Sequence, residues 1–246
     1  MLIVATPLAR AIPHVQPAIS IGLATSSGTL LLTYLFVRWD GVTAQDVGIA
    51  PDRRSVIRLV AGFTIGLVLV AINTLAMWST GHVTWVRAPA PSHSDAAMTL
   101  VAFVLLASRE ELAFHGYPLR RLECSFGLGV AQAVVALVFA LEHVAGGAGW
   151  VNAFLGSGIG ALLFGMAAIA SRGLAMPIGL HAAWNVGDWI RGGKDSSGLW
   201  RPIVEQEYAS SVGMAGMGSY IAVFLMTTFG LWMWHRTFGR SGDAIG

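Results

Sequence analysis

Charged residues make up only 11% of this 246-residue chain, against roughly 25% in typical soluble domains. A chain so poor in charge lacks the means to cover a water-facing surface, which excludes an ordinary soluble globular domain. Nucleic-acid binding is excluded as well: the formal net charge is +2, and no basic run with interleaved aromatics occurs. Cysteine is nearly absent. Cys124 is the one copy, so an intrachain disulfide or a cysteine metal cage is impossible, and a lone thiol near a helix start reads as inert packing. A cleavable leader is not evident either, because Met1 to Ala11 lacks a basic region ahead of its apolar stretch and runs into Pro13 and Pro17. Repeats, low-complexity tracts and linkers are missing too, so one membrane domain over residues 1–246 is the economical expectation.

What is present is apolar. Hydrophobic residues form 55% of the chain, mean hydropathy is +0.66, and there are 30 Gly and 9 Trp. Glycine lets membrane helices approach closely, and tryptophan gathers at the water interfaces. The expected fold is all-α: a polytopic transmembrane helical bundle of about seven spans, possibly eight, each needing about 20 apolar residues. The stretches are 17–37, 57–78, 96–116, 126–143, 150–170, 174–190 and 214–234. Arg38, Arg53, Arg54, Arg58, Arg120, Arg121, Arg172, Arg236 and Arg240 fall on one side of this topology. Arg10, Arg87, Arg191, Lys194 and Arg201 fall on the other. The basic excess marks the cytoplasmic side, giving an outer N-terminus and a cytoplasmic C-terminus in a bacterial cytoplasmic membrane. The stretches 83–95 and 192–207 read as outer loops. Gly156 and Gly160, four apart, read as a close-packing helix face, and Trp78, Trp150 and Trp232 as interface anchors.

Ionisable groups at membrane depth are costly, so three polar patterns within the apolar segments stand out. In Arg109-Glu110-Glu111-Leu112-Ala113-Phe114-His115-Gly116, a helix places Glu111 and His115 on one face and turns Glu110 about 100° away. Two adjacent carboxylates in low dielectric favour unequal protonation, which suits one of them to general-base work; the alternative is a solvated helix end. Phe139-Ala140-Leu141-Glu142-His143 closes a wholly apolar span, with His143 either functional or an interfacial cap, and with Glu142 a candidate partner whose adjacent position turns it off the His143 face. His181-Ala182-Ala183-Trp184-Asn185 sets an imidazole and a carboxamide on one face, either as donors to an oxyanion or as glue between helices. Asp188 follows as a supporting group or as the first polar residue of the exit. Glu110, His143 and His181 would also make an acceptable zinc set with one position left for water.

In this order the three patterns resemble the CPBP family of intramembrane proteases, which includes the CAAX prenyl endopeptidases and their Abi and bacteriocin-immunity relatives. The family pattern is Glu-Glu-x-x-x-Arg, then Phe-x-x-x-His, then His-x-x-x-Asn. Glu110 and Glu111, Phe139 and His143, and His181 and Asn185 carry it here, across a protease-like core of about 96–190. The resemblance implies an intramembrane endopeptidase acting on a membrane-associated peptide or protein. Glu110 would activate water with the help of His143, His181 and Asn185 would form the oxyanion hole, and Glu111 would support them. His115 stands where the family has Arg, which makes the ion pair holding a Glu weaker or pH-dependent, with Arg109 as a substitute cation from the other side. The family has been described both as zinc-dependent and as metal-independent. The metal-free scheme is expected here, because it leaves His181 as a donor. Two other classes share these residues: a proton-coupled transporter or ion pathway, which needs broken helices and a polar path to both sides, and a catalytically inactive immunity or scaffold protein of the same fold. Oligomeric state and a prenyl group on the substrate have no signature in the chain.

Overall fold

The computed structural model describes residues 17–194 and 198–238. The leader expectation over Met1 to Ala11, with Arg10 and Arg240, lies outside them. Seven long helices correspond to the seven apolar stretches: α1 (Pro17–Trp39), α2 (Ser55–Trp78), α3 (His93–Glu110), α5 (Leu128–Ala145), α6 (Ile159–Ser171), α7 (Ala175–Ile190) and α8 (Ala209–Phe238). A shorter amphipathic helix, α4 (Tyr117–Phe126), follows α3, and π-helical turns occupy Glu111–His115 and Asn152–Gly158.

Five helical segments are long and apolar enough to cross a membrane by length and composition: Ile19–Trp39, Ser55–Trp78, Leu128–Ala145, Asn152–Ser171 and Gln206–Phe238. The expected count of about seven is therefore not reproduced. The two that fall short, α3 and α7, carry the Glu pair and the His181–Asn185 pair. Polar residues dilute the hydropathy of α3, and α7 has 16 residues. Short, polar-bearing helices suit the inside of a bundle, and α7 is buried along most of its length. The outer surface is apolar instead: Leu30 and Leu31 of α1 and Val56 and Ile57 of α2 are mostly exposed, as lipid-facing side chains should be. Trp78 and Trp150 are likewise exposed at helix ends.

Close approach also occurs where the sequence reading did not place it. A Cβ on Gly62 of α2 would stand 2.1 Å from the Met176 carbonyl oxygen, and one on Gly179 of α7 would stand 2.2 Å from that of Leu59. These contacts let the backbones of α2 and α7 touch, locking α7 in the centre. Of the expected Gly156–Gly160 face, Gly160 does pack closely, since a Cβ there would stand 3.0 Å from Tyr220 Oη of α8, whereas Gly156 meets nothing within 4 Å. Its carbonyl instead accepts a hydrogen bond from Tyr220 Oη at 2.7 Å.

The all-α expectation holds for the described residues apart from one short ladder. Strand β1 (Val83–Arg87) pairs antiparallel with β2 (Trp200–Val204), with Trp85 opposite Pro202. The Val-Thr-Trp-Val run has the β-branched and aromatic character of a strand, but its partner lies more than 100 residues away, beyond the reach of local pattern. The ladder joins the two expected outer loops on one end of the bundle, and Trp85 Nε1 donates to the Arg191 carbonyl at 3.0 Å. At the opposite end Tyr117 Oη donates to Asp40 at 2.6 Å, and Arg121 pairs with the same carboxylate. Cys124 is exposed on α4 rather than packed. Helix α3 starts where Ser92 Oγ accepts from the Asp95 amide at 3.1 Å, an N-cap with an acidic first turn.

Candidate active site

The Glu pair stands where α3 widens into the π-helical turn Glu111–His115. Such a turn inserts one residue into an α-helix and re-aims the side chains around it. Glu110 is 5% exposed and Glu111 is fully buried, so the pair is no solvated helix end. Glu111 and His115 share a face as their spacing predicts: His115 Nδ1 donates to Glu111 Oε2 at 2.7 Å. The second oxygen of Glu111 accepts from His181 Nδ1 at 2.8 Å. Glu110 is not turned away from this group, because its Oε2 lies 3.6 Å from His181 Nε2. The imidazole of His181 therefore hydrogen-bonds Glu111 and lies within ion-pair range of Glu110. Its ring is sandwiched further by Phe164, stacked at 4.5 Å and 8°.

Arg109 does not take the family arginine's place beside Glu111. It pairs with Glu110 and reaches Glu142 Oε1 at 3.7 Å, while His115 holds Glu111. Glu142 also corrects the sequence reading, since its Oε2 comes within 3.4 Å of His143 Nδ1 despite the adjacent positions. That nitrogen also lies 2.9 Å from the Phe139 carbonyl, the geometry of a donated hydrogen bond that fixes the ring and leaves Nε2 as its other polar atom. Phe139 is buried and meets Phe114 edge-on at 4.9 Å, joining the π-helical turn to α5.

Glu110, His143, His181 and Asn185 line one cavity of about 440 Å³. A carboxylate oxygen of Glu110, one of Glu142 and a ring nitrogen of His143 lie within 4.8 Å of one another, a separation that a single water molecule spans. Asn185 is 3% exposed, and its Nδ2 has no hydrogen-bond partner within the protein. Donors left open in a buried cavity are available to a group that enters it. The sequence reading missed several other lining residues. Asn73 of α2, Asn152 of the second π-helical turn, Tyr220 of α8 and Arg191 beyond α7 all face the cavity. Each is a lone polar residue in an apolar or loop segment, with no spacing signal to mark it. Asp188 holds Arg191 at 2.8 Å, and Arg191 also donates to Asn73 Oδ1 at 2.6 Å. The cavity thus runs from Glu110 towards the β1–β2 end of the bundle.

The donors also suit a zinc ion. His181 Nδ1 is tied to a carboxylate and His143 Nδ1 to a carbonyl, the outer partners that orient histidine ligands. Among the described residues, Glu110, Glu142 and His143 bring their ligand atoms close enough together to hold the metal; the expected set of Glu110, His143 and His181 does not gather in this way, and Glu142 takes the place given to His181. Arg109 already supplies a cation to Glu110 and Glu142, which weighs against a second positive charge there.

Neither a curated protein nor a solved structure matches the chain. A family match does exist, and it covers α3 through most of α7, the span that carries every residue of the three motifs. Residues 92–187 match the family described as Type II CAAX prenyl endopeptidase Rce1-like, which bears out the family resemblance read from Glu110 to Asn185.

Proposed function

We propose that the protein is an intramembrane endopeptidase whose single membrane domain hydrolyses a peptide bond of a membrane-associated substrate within the 440 Å³ cavity, using a protease core of about residues 96–190. The observation that carries this reading is the convergence of Glu110, His143, His181 and Asn185 on one cavity. Hydrolysis needs a base, a held water and donors where charge develops, and these four side chains offer all three.

Glu110 takes a proton from a water held between it and His143, and the water oxygen attacks the scissile carbonyl carbon. The carbonyl oxygen becomes an oxyanion facing His181 Nε2–H and the open Asn185 Nδ2–H. As the C–N bond breaks, the proton held by Glu110 passes to the leaving nitrogen, yielding a carboxyl and an amine. His181 carries a proton on each ring nitrogen throughout, donating to Glu111 at Nδ1 and to the oxyanion at Nε2, and the buried Glu111 carboxylate offsets its charge. Arg109 holds the other oxygen of Glu110 and so aims the base. A zinc ion held by Glu110, Glu142 and His143 would instead supply a Lewis acid and an acidified water. The metal-free scheme is the one we adopt, on the Arg109 pairing.

The test is cleavage of fluorogenic or membrane-anchored peptides by purified protein in detergent. Glu110→Gln and His143→Ala should each lower turnover by about 10²-fold or more. Equal turnover by wild type and both variants would remove the assignment.

A further inference from the structure

A second cavity, of about 560 Å³, lies at the end of the bundle away from the β1–β2 ladder, between the start of α2, the α6–α7 corner and the end of α8. Arg54, Arg58, Arg172 and His235 line it. Its walls are apolar and open to the surface: Ile57 is 70% exposed and Phe238 66%. Arg120 stands close enough to Arg172 for the two charges to oppose each other, while it donates to the Ala168 carbonyl at 2.9 Å. Asp52 pairs with Arg58, and Glu123 with Arg120. The guanidinium groups of Arg54, Arg58 and Arg172 thus gather in one cleft beside a hydrophobic wall, with Arg120 close behind.

The backbone adds an independent observation. Arg172 ends α6 at φ 57° and ψ 36°, the one non-glycine residue with positive φ among the described residues. Glycine is the usual occupant of that left-handed position, and a side chain there is strained. A strained residue is a pointer to function when its side chain reaches a site, and here the side chain lines the cavity. His235 supplies a third: its Nδ1 is buried without a hydrogen-bond partner.

We infer that this cleft binds an anionic phospholipid, its phosphate received by Arg54, Arg58 and Arg172 and an acyl chain laid along Ile57, Trp234 and Phe238. The chemistry matches on both counts. Guanidinium groups receive phosphate oxygens through paired N–H donors, and basic pockets between membrane helices are where lipid phosphates bind. The apolar wall sits on α2 and α8, two of the segments long and apolar enough to cross a bilayer, so a lipid chain running alongside them meets a surface already built for lipid. This site is separate from the Glu110 cavity and shares none of its lining residues.

Native mass spectrometry of the full chain in a neutral detergent, titrated with dioleoyl phosphatidylglycerol or dioleoyl phosphatidylcholine, tests the inference. One phosphatidylglycerol should be retained under conditions that strip phosphatidylcholine. Arg172→Gly is the decisive variant, because glycine accepts the left-handed backbone, and its melting curve in detergent shows that it folds. It should weaken phosphatidylglycerol retention about fivefold, and Arg54→Ala combined with it about 25-fold, the effect of one and two cations at an anionic lipid surface. Arg121→Ala, which removes a cation from the same end of the bundle outside the cleft, should leave retention unchanged. Peptide cleavage in detergent should be the same in all three variants. Equal retention of the two lipids, or an equal loss in Arg121→Ala, would overturn the proposal. Displacement of phosphatidylglycerol by millimolar inorganic phosphate, with phosphate alone raising the Tm, would reduce the cleft to a plain anion site and overturn the lipid assignment.

Discussion

Glu111→Gln is the most informative substitution in the site. The carboxylate is fully buried and accepts from two imidazoles, at 2.7 Å from His115 and 2.8 Å from His181. Glutamine has the same shape but one acceptor oxygen, so its amide group must face one of the two ring nitrogens with donor against donor. Hydrogen bonds to a charged group contribute about 1.5–3 kcal/mol and neutral ones about 0.5–1.5. Exchanging one kind for the other at one ring, and losing the bond at the other, should cost about 2–4 kcal/mol. That is large against a total of about 5–15 kcal/mol, yet leaves a folded protein. Glu111→Ala would leave both rings unpaired and is the poorer probe. In thermal unfolding in detergent, Glu111→Gln should lower the Tm by several degrees. If Glu111 sets the proton on His181 Nδ1, the variant should also disturb the donor that His181 offers to the oxyanion. A fall of about 10²–10³-fold in kcat with KM little changed is then expected, the loss seen when one oxyanion donor is removed. Wild-type kcat in a variant whose Tm has dropped would refute the orienting role of Glu111, and an unchanged Tm would refute the hydrogen-bond reasoning itself.

Gly179→Ala should force α2 and α7 apart at the Leu59 carbonyl, at a cost of about 3 kcal/mol or more, whereas Gly218→Ala, where nothing lies within 4 Å, should leave the Tm level or slightly raised. Paired melting curves check both. Chelation with a strong zinc ligand should leave peptide cleavage intact; stoichiometric metal whose removal abolishes turnover would reverse the metal-free scheme. Asp52, in the loop before α2, accepts from the Arg54 amide at 2.8 Å, and this bond chiefly holds its carboxyl below the ordinary 3.8. A carboxyl with a lowered folded-state pKa contributes stability above its unfolded value that is lost as pH falls through the folded one, so Asp52→Asn should flatten the decline in Tm below about pH 3.8.

Much of this architecture is visible in one sequence, and the reasons are specific. Apolar runs of helical length report themselves, so all seven helices fall close to their expected bounds. Spacing within a helix is equally readable: Glu111 with His115 needed only the four-residue repeat. What escaped depends on contacts across the chain. The β1–β2 ladder pairs Val83 with Val204, and no local pattern ties them. Gly62 and Gly179 sit in ordinary apolar stretches, and only the meeting of α2 and α7 gives them a role. Asn73 and Tyr220 line the site through the same kind of long-range meeting. Helical angle alone turns Glu142 off the His143 face, whereas its long flexible side chain, drawn by Arg109, turns back to His143.

The π-helical turn begins at Glu111, while Glu110 and Glu111 themselves keep ordinary α-helical dihedrals. The inserted residue therefore sets the angle of everything that follows, His115 first, relative to the carboxylates before it. Loss of one residue in this turn would leave composition, hydropathy and span length almost untouched while swinging His115 about 100° around the helix axis, away from Glu111. A chain can hold its place in the bilayer, and every motif residue, and still have no working centre; whether a relative of this protein is active is then a question of helical phase rather than of residue identity.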